Sequence, residues 1–210
     1  MQNEEEAREW LTKAHQSYEV AIAAITMAEE ETRKAITLLM MGGDGSKAVT
    51  VYGQREPPWG DDALGRGLRT MAQDGCLVTA MASVLTDAGR RITPGELNVW
   101  LKENGGFAGA NRFVFASTDQ LGVIKYRTLG DCAETPAPML MLDATVTQGH
   151  FVVVMLKVSN TVPTHYLRYL GAGQVMDPYY ADVSPIVPRY RGVSAAQSIL
   201  RYVIYDRVRS

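Results

Sequence analysis

A candidate nucleophile is Cys76, which follows Asp74-Gly75 and precedes an apolar segment. This placement predicts a cysteine at the start of a helix, where the positive end of the helix dipole favours a thiolate. Gly75 would let the chain turn sharply and leave the sulfur open to a substrate. A nucleophilic thiol is one interpretation, and a buried structural cysteine is the other.

A thiol nucleophile needs a base, and the base needs an acceptor for its second ring proton. His150 follows Gly149 and precedes the apolar segment Phe151–Val154, so it could stand at the leading end of a buried strand and point into a cleft. The alternative is an exposed histidine at the edge of a strand. Asp177 follows a later short strand, and a hairpin-like return could bring it beside His150. The alternative for Asp177 is a turn-forming residue before Pro178.

The two other histidines are less suited to this role. His15 lies in an N-terminal helical segment, and His165 follows Pro163 in an apparent turn. The sequence therefore favours His150 as the partner of Cys76.

Several segments, taken in order, resemble the double-glycine-peptidase-like cysteine peptidases of the papain superfamily, found in bacteria and their phages. The resemblance covers about Val51 to Asp177, and its parts follow the family's order of Gln, Cys, His and Asp. The segments are Tyr52–Gly60, Gly75–Ala82, Gly89, Thr93–Asn98, Gly149–Val154 and Met176–Pro178.

The resemblance implies an α+β papain-like fold and cleavage of a peptide bond through an acyl-enzyme, with Cys76, His150 and Asp177 as the triad. It also implies a glutamine that donates to the oxyanion. Gln54 matches by its Tyr-Gly-Gln context, and Gln73 is the rival because it lies three residues before Cys76. This chemistry needs no metal or organic cofactor.

The resemblance suggests bacterial cell-wall peptides or double-glycine peptides as substrates, within a phage particle or a cell-surface assembly. Two alternatives remain open at this point. The domain could be a non-catalytic module that serves as a structural or binding part of an oligomer, or an acyltransferase that passes the acyl group to an amine or thiol.

The sequence divides into two segments near a Gly-rich break, Gly42–Ser46, and the second segment must position these residues. Residues 1–43 are predicted to form an N-terminal helix, and residues 44–210 the peptidase-like domain. A helix from about Asn3 to Met41 is expected because this segment is rich in Glu, Ala, Lys and Leu and lacks Pro and Gly.

Within that helix, small and apolar residues recur at alternating steps of three and four, which is the spacing of a coiled-coil seam. Self-association into a homo-oligomer is one interpretation, and packing along the helix's own domain is the other. The seam residues are Leu11, Ala14, Tyr18, Ala21, Ile25, Ala28, Thr32, Ala35 and Leu39.

In the second segment, helices are expected over Gly75–Ala88 and from Thr93 to about Asn104, the latter opened by a capping box of Thr93 and Glu96. The rest is predicted to be an antiparallel sheet joined by hairpins. Its expected strands are Met139–Leu142, Phe151–Leu156, Tyr166–Leu170, Gln174–Met176 and Leu200–Tyr205.

The amino-acid composition limits the class of protein and the kinds of partner. Of 210 residues, 46% are apolar and 21% charged, which is typical of a globular protein, and the net charge of -2 gives no reason to expect a nucleic-acid partner. No apolar stretch approaches the ~20 residues that a membrane span needs. The segment Met1–Glu6 does not resemble a secretory signal, so we expect cytoplasmic synthesis, with the virion or cell surface as a later location.

The chain has two cysteines, too few for a disulfide framework or a four-thiolate zinc site. A single Cys76–Cys132 bridge and a pair of one reactive and one buried thiol both remain open.

Overall fold

The computed structural model describes residues 8–22, 24–25, 28, 49–158, 164–190 and 194–208. The chain divides into two compact units, Met1–Ser46 and Lys47–Ser210.

In the first unit, residues 8–22 form a helix, α1, whose side chains are all exposed. Leu11 is 71% exposed and Tyr18 is 63% exposed, so the described seam positions present an apolar surface to solvent. Residues 24, 25 and 28 are also helical. The predicted continuity of the helix from Asn3 to Met41, and the seam positions after residue 28, lie outside the described residues.

The second unit contains helices α2 to α7 and a 3-10 helix, and none of the described helices is long and apolar enough to cross a membrane. The α-helices are α2 (Met71–Asp74), α3 (Cys76–Ala88), α4 (Pro94–Glu103), α5 (Met139–Thr147), α6 (Ile186–Arg189) and α7 (Ala195–Ser198), and the 3-10 helix is Phe115–Leu121.

Two strands form a small hairpin, and six form one antiparallel sheet in the order β3-β8-β4-β5-β6-β7. The predicted α+β class with an antiparallel sheet is thereby confirmed. The strands are β1 (Phe107–Ala108), β2 (Arg112–Phe113), β3 (Ile124–Asp131), β4 (Phe151–Leu156), β5 (His165–Gly171), β6 (Gln174–Asp177), β7 (Asp182–Pro185) and β8 (Ile199–Arg207).

The start of α4 follows its predicted local chemistry. The Thr93 hydroxyl accepts a hydrogen bond from the Glu96 backbone N–H, and the Glu96 carboxylate accepts one from the Thr93 backbone N–H. Pro94 occupies the first helical position, where the missing N–H costs no hydrogen bond. The capping box predicted from the sequence is confirmed.

One predicted strand is wrong. Met139–Leu142 begins helix α5, which continues to Thr147. A short apolar run does not by itself distinguish a strand from a buried helix, and the Met-Leu-Met-Leu segment consists of good helix formers. Strands β1, β2, β3 and β7 are not among the predicted strands.

The sheet separates two apolar clusters, as the alternation of side chains along β4 illustrates. Phe151 and Val153 pack with α3 and α4 on one face. Val152, Val154 and Leu156 pack with α5 on the other. Because both faces are covered, the middle of the sheet is a rigid support for residues at its strand ends.

Candidate active site

Cys76 is the first residue of α3 and is partly exposed. The residue before it can only be glycine, because a Cβ at Gly75 would lie 2.5 Å from the carbonyl oxygen of Met71. This close approach lets the short helix α2 run directly into α3. The turn therefore presents the sulfur at the positive end of a thirteen-residue helix, as the sequence predicted.

The ring beside this sulfur belongs to His165, the first residue of β5. Its Nε2 lies 2.9 Å from Oδ1 of Asp177, and the ring also interacts with the sulfur of Cys76, which raises the pKa of His165. Since Asp177 occupies Nε2, Nδ1 is the nitrogen left for the sulfur. The structure thus brings together a thiol, an imidazole and a carboxylate, with the imidazole hydrogen-bonded to the carboxylate.

The register of the sheet explains why these residues meet. β5 and β6 form an antiparallel hairpin in which Arg168 pairs with Met176. The beginning of β5 and the end of β6 therefore lie at the same end of the hairpin. His165 opens the first strand and Asp177 closes the second, so neighbouring backbone holds them together.

Opposing effects set the pKa of His165. Burial lowers it, whereas hydrogen bonds and charge interactions with Asp177 and Cys76 raise it more, to about 9. Burial would raise the pKa of Asp177, but the hydrogen bonds from His165 and Tyr190 and the charge of His165 hold it below its ordinary value. At neutral pH the ring is therefore a cation between the sulfur and a carboxylate.

Asp177 is fully buried, and four groups hold its carboxylate. Oδ1 accepts hydrogen bonds from His165 and from the backbone N–H of Tyr179 at 2.9 Å. Oδ2 accepts from the hydroxyl of Tyr190 and lies 3.4 Å from Nη1 of Arg189. Burial and the bond to Asp177 raise the pKa of Tyr190, so its hydroxyl remains a donor. These contacts fix the carboxylate in the position that orients the His165 ring.

A buried ion pair ties the helix that carries the thiol to the strand that carries the imidazole. Nη1 of Arg168, on β5, lies 2.6 Å from Oδ2 of Asp87 on α3 and 2.9 Å from the hydroxyl oxygen of Ser83. Asp87 in turn accepts a hydrogen bond from the Thr50 hydroxyl at 2.5 Å. This network limits relative movement of α3 and β5, so it helps to preserve the contact between Cys76 and the ring.

Gln54 lies in the same cleft and is 3% exposed. Its backbone N–H donates to the carbonyl of Pro178 at 2.7 Å, and its side-chain Nε2 donates to the carbonyl of Ala72 at 2.8 Å. One hydrogen on Nε2 is left for a substrate, since an amide nitrogen carries two. Gln54 is thus anchored both to the loop after Asp177 and to the helix before Cys76.

Gln73, the other candidate oxyanion donor, is exposed on α2 and also borders the cleft. Its Oε1 accepts a hydrogen bond from the backbone N–H of Thr70 at 3.1 Å, as part of the capping box of α2. This local role accounts for a glutamine at position 73, whereas the buried amide of Gln54 has no comparable local role. The geometry favours Gln54.

The structure places His150 away from its predicted position beside Cys76 and Asp177. The structure does not place it beside Asp177 or among the residues that line the cleft. Its Nδ1 accepts a hydrogen bond from the backbone N–H of Arg207 at 3.2 Å and lies 3.3 Å from Oδ1 of Asp206. Because β4 and β5 are antiparallel, the start of β4 and the start of β5 lie at opposite ends of the sheet. His150 is therefore separated from Cys76 by the length of a strand.

The cleft that contains Gln54, Cys76 and His165 has a volume of about 1060 Å³. A cavity of this size suits a small-molecule or peptide ligand. Aromatic side chains border it, among them Phe113 and Tyr179. The thiol thus faces a space in which an extended peptide segment could lie.

The other cysteine, Cys132, is not among the residues that line the cleft. Cys132 is 7% exposed and packs in the apolar cluster that includes α5, and both cysteines are free thiols. Burial, and to a lesser degree the charge of Asp131, raises the pKa of Cys132. These observations favour a pair of one accessible and one buried thiol. Among the described residues, no group of His, Cys, Asp and Glu side chains could hold a metal ion.

No protein-family model matches the sequence, and a search of curated proteins finds no match. The arrangement of the site in the fold must therefore carry any functional conclusion.

Proposed function

We propose that the second unit is a papain-like cysteine peptidase or amidase that cleaves peptide bonds through Cys76, His165 and Asp177. The observation that carries the proposal is the single His165 ring, which hydrogen-bonds the buried carboxylate of Asp177 and interacts with the sulfur of Cys76 in the same cleft. The arrangement of a nucleophile at a helix start, followed along the chain by an antiparallel sheet that supplies the base and its acceptor, supports a papain-like fold.

The mechanism follows from the contacts. At neutral pH His165 already holds the proton taken from the Cys76 thiol, as an imidazolium that Asp177 stabilises, and the thiolate of this ion pair is the nucleophile. The thiolate adds to the carbonyl carbon, while Nε2 of Gln54 and the backbone N–H of Cys76 donate to the oxyanion. That N–H lacks an intrahelical acceptor because it belongs to the first residue of α3.

When the tetrahedral intermediate collapses, the bond from carbon to nitrogen breaks and His165 gives its proton to the departing amine. A thioester on Cys76 remains. His165 then removes a proton from water, the hydroxyl adds to the thioester carbonyl, and the carboxylic acid leaves as the thiol is regenerated.

Active-site labelling tests the proposal. A peptidyl chloromethyl ketone should alkylate wild-type protein and Cys132→Ser at Cys76, and should leave Cys76→Ala unmodified, as read by mass spectrometry. The same proteins should be incubated with purified peptidoglycan and with a panel of Gly-Gly peptides to find the cleaved bond. Equal labelling of Cys132 and Cys76, with no peptide product, would contradict the proposal and favour a non-catalytic module.

The two glutamines offer a matched comparison. Gln54→Ala should lower kcat by about 10²-fold, because one oxyanion donor is lost. Gln73→Ala should change kcat by less than about threefold but should lower the stability by ~1 kcal/mol, since it removes part of a helix cap. Steady-state kinetics and thermal unfolding measure both effects. A larger kcat loss in Gln73→Ala would transfer the oxyanion role to that residue.

We also propose that the first unit associates with copies of itself through the seam that runs along α1 and continues to Ile25. The described seam residues Leu11, Tyr18 and Ile25 are 71%, 63% and 60% exposed, and their heptad spacing is typical of a helix that packs against another helix. An isolated helix with an uncovered apolar stripe is only marginally stable in water.

Ile25→Asp should therefore dissociate the oligomer. Removing a buried isoleucine from each of two helices costs roughly 3–6 kcal/mol, which raises the dissociation constant by about 10²-fold or more. Val20→Asp is the matched control, because Val20 is 70% exposed but lies off the seam. Light scattering at micromolar concentration should detect monomers only for Ile25→Asp. A monomeric wild-type protein would refute self-association.

A further inference from the structure

The charge of the cleft differs in sign from that of the whole chain, whose net charge is -2. Among the described residues that line the cleft, four are arginines and one, Asp74, carries a carboxylate. The guanidinium of Arg69 lies 2.5 Å from Asp74, and that of Arg201 lies 3.2 Å from Asp131. Arg55 and Arg112 form no ion pair within the described part of the chain. The space in front of Cys76 is therefore bordered by uncompensated positive charge.

Arg55 is the better defined of these two guanidiniums. It follows Gln54 directly, and its Cζ lies 3.6 Å from the centre of the Tyr179 ring. Contact with an aromatic face restrains a guanidinium while leaving its N–H donors free for hydrogen bonds. Gln54 is itself fixed by its bond to Pro178, so the backbone that carries Arg55 is anchored close to the proposed oxyanion site.

The position of Arg55 relative to the reacting groups can be bounded. Tyr179 packs edge-on against His165, with 6.3 Å between the ring centres. With the Arg55–Tyr179 contact, this places the guanidinium carbon within about 10 Å of the imidazole centre. An extended residue spans about 3.3–3.6 Å, so this reach covers about three residues of a bound peptide.

The imidazole also identifies the side of the scissile bond. In the proposed mechanism His165 gives a proton to the departing amine, so the leaving part of the substrate lies next to this ring. Tyr179 contacts that ring edge-on, and the Arg55 guanidinium lies over the face of Tyr179. A negative group on the leaving side, within about three residues of the cleaved bond, would therefore come within reach of Arg55.

We infer that the substrate is a peptide that carries a carboxylate on its leaving side, and that Arg55 binds this carboxylate. A guanidinium matches a carboxylate in two parallel N–H···O hydrogen bonds, so it can select the group by geometry as well as by charge. The inference rests on the proposed peptidase function. The carboxylate could belong to an acidic side chain or to the C-terminus of a short substrate.

The experiment compares matched substrates on the full-length protein. A cleaved peptide is prepared with Glu or Gln at each of the first three positions after the cleaved bond, and with a free or amidated C-terminus. Wild type should prefer at least one carboxylate form by about tenfold in kcat/KM, mainly through KM, and added salt should reduce this preference.

Arg55→Gln should abolish this preference, so that kcat/KM for the carboxylate peptides falls to the value for the neutral peptides. Arg55→Lys keeps the charge and should retain part of the preference. Arg90→Gln, at an exposed arginine outside the set that lines the cleft, should behave as wild type.

The outcomes separate the two proposals. Neutral and acidic peptides cleaved equally well by wild type, or a preference that survives in Arg55→Gln, would overturn the role of Arg55 and leave the peptidase proposal intact. Failure to cleave any peptide, together with failure of the chloromethyl ketone to alkylate Cys76, would overturn the peptidase proposal itself.

Discussion

Replacing His165 by alanine is expected to lower kcat/KM by at least about 10³-fold, because the variant loses both the base for the thiol and the acid for the leaving amine. The ring is hydrogen-bonded to Asp177 and interacts with the sulfur of Cys76, so the variant removes the group that links the thiol to the carboxylate. Alkylation of Cys76 by a chloromethyl ketone should slow in parallel, since the thiolate would lose its cationic partner.

His150→Ala is the matched control for this experiment. It removes an imidazole whose Nδ1 contacts the backbone N–H of Arg207 at the other end of the sheet. We expect less than about a threefold change in kcat/KM, with at most a small loss of stability. Circular dichroism should confirm that both variants fold. A large activity loss in His150→Ala together with a small one in His165→Ala would show that the assignment from the structure is wrong.

The choice between the two histidines shows where sequence patterns fail. Both residues immediately precede or begin an apolar strand, so local pattern alone does not separate them. The hairpin order does separate them. In three consecutive antiparallel strands, the end of the third lies beside the start of the second, not the start of the first. Asp177 ends β6 and His165 starts β5, so the partner of Asp177 could have been deduced from the predicted hairpins.

Elements with strong local signals could be predicted from the sequence. The capping box at Thr93 and Glu96 and the glycine before Cys76 depend on neighbours within a few residues, and they define the starts of α4 and α3. Strand β3 is different, because it pairs with β8 across more than seventy residues, through pairs such as Ile124 with Arg207. Its inclusion in the sheet depends on tertiary packing that no local pattern encodes.

The pH dependence of activity gives a second large expected effect, which centres on Asp177. The pKa of His165 is about 9, so the imidazolium should lose its proton, and kcat/KM should fall, as the pH rises through about 9. In Asp177→Asn the negative charge that helps to raise this pKa is gone. The alkaline limb should therefore move to lower pH, with kcat/KM at pH 7 reduced by about 10-fold or more.

Asp177→Ala should be more severe, with a loss of about 10³-fold in kcat/KM. It leaves two buried donors, from His165 and Tyr190, and the partly buried N–H of Tyr179 without their shared acceptor. Each unsatisfied buried group costs about 1–3 kcal/mol, so this variant should also unfold at lower temperature. Asp177→Asn keeps the side-chain volume and one acceptor oxygen, and it therefore separates loss of charge from loss of structure.

Stability should depend on pH in a way that the same two pKa shifts determine. The raised pKa of His165 contributes stability that is complete below its ordinary value of 6.5 and is lost as the pH rises through about 9. The lowered pKa of Asp177 contributes stability above its ordinary value of 3.8, which is lost as the pH falls through the lower folded value. Both contributions to stability are complete between about pH 4 and 6.5. Asp177→Asn should make the folding stability depend less on pH on either side of this range.

Two measurements check these expectations. Profiles of kcat/KM against pH from 5 to 10 should show the alkaline limb of wild type near pH 9 and that of Asp177→Asn at lower pH. NMR titration of the His165 ring in Cys76→Ala isolates the contribution of Asp177, because this variant removes the sulfur that also raises the ring's pKa. Identical alkaline limbs in wild type and Asp177→Asn would mean that the carboxylate does not stabilise the imidazolium, and the proposed triad would then lack its third member.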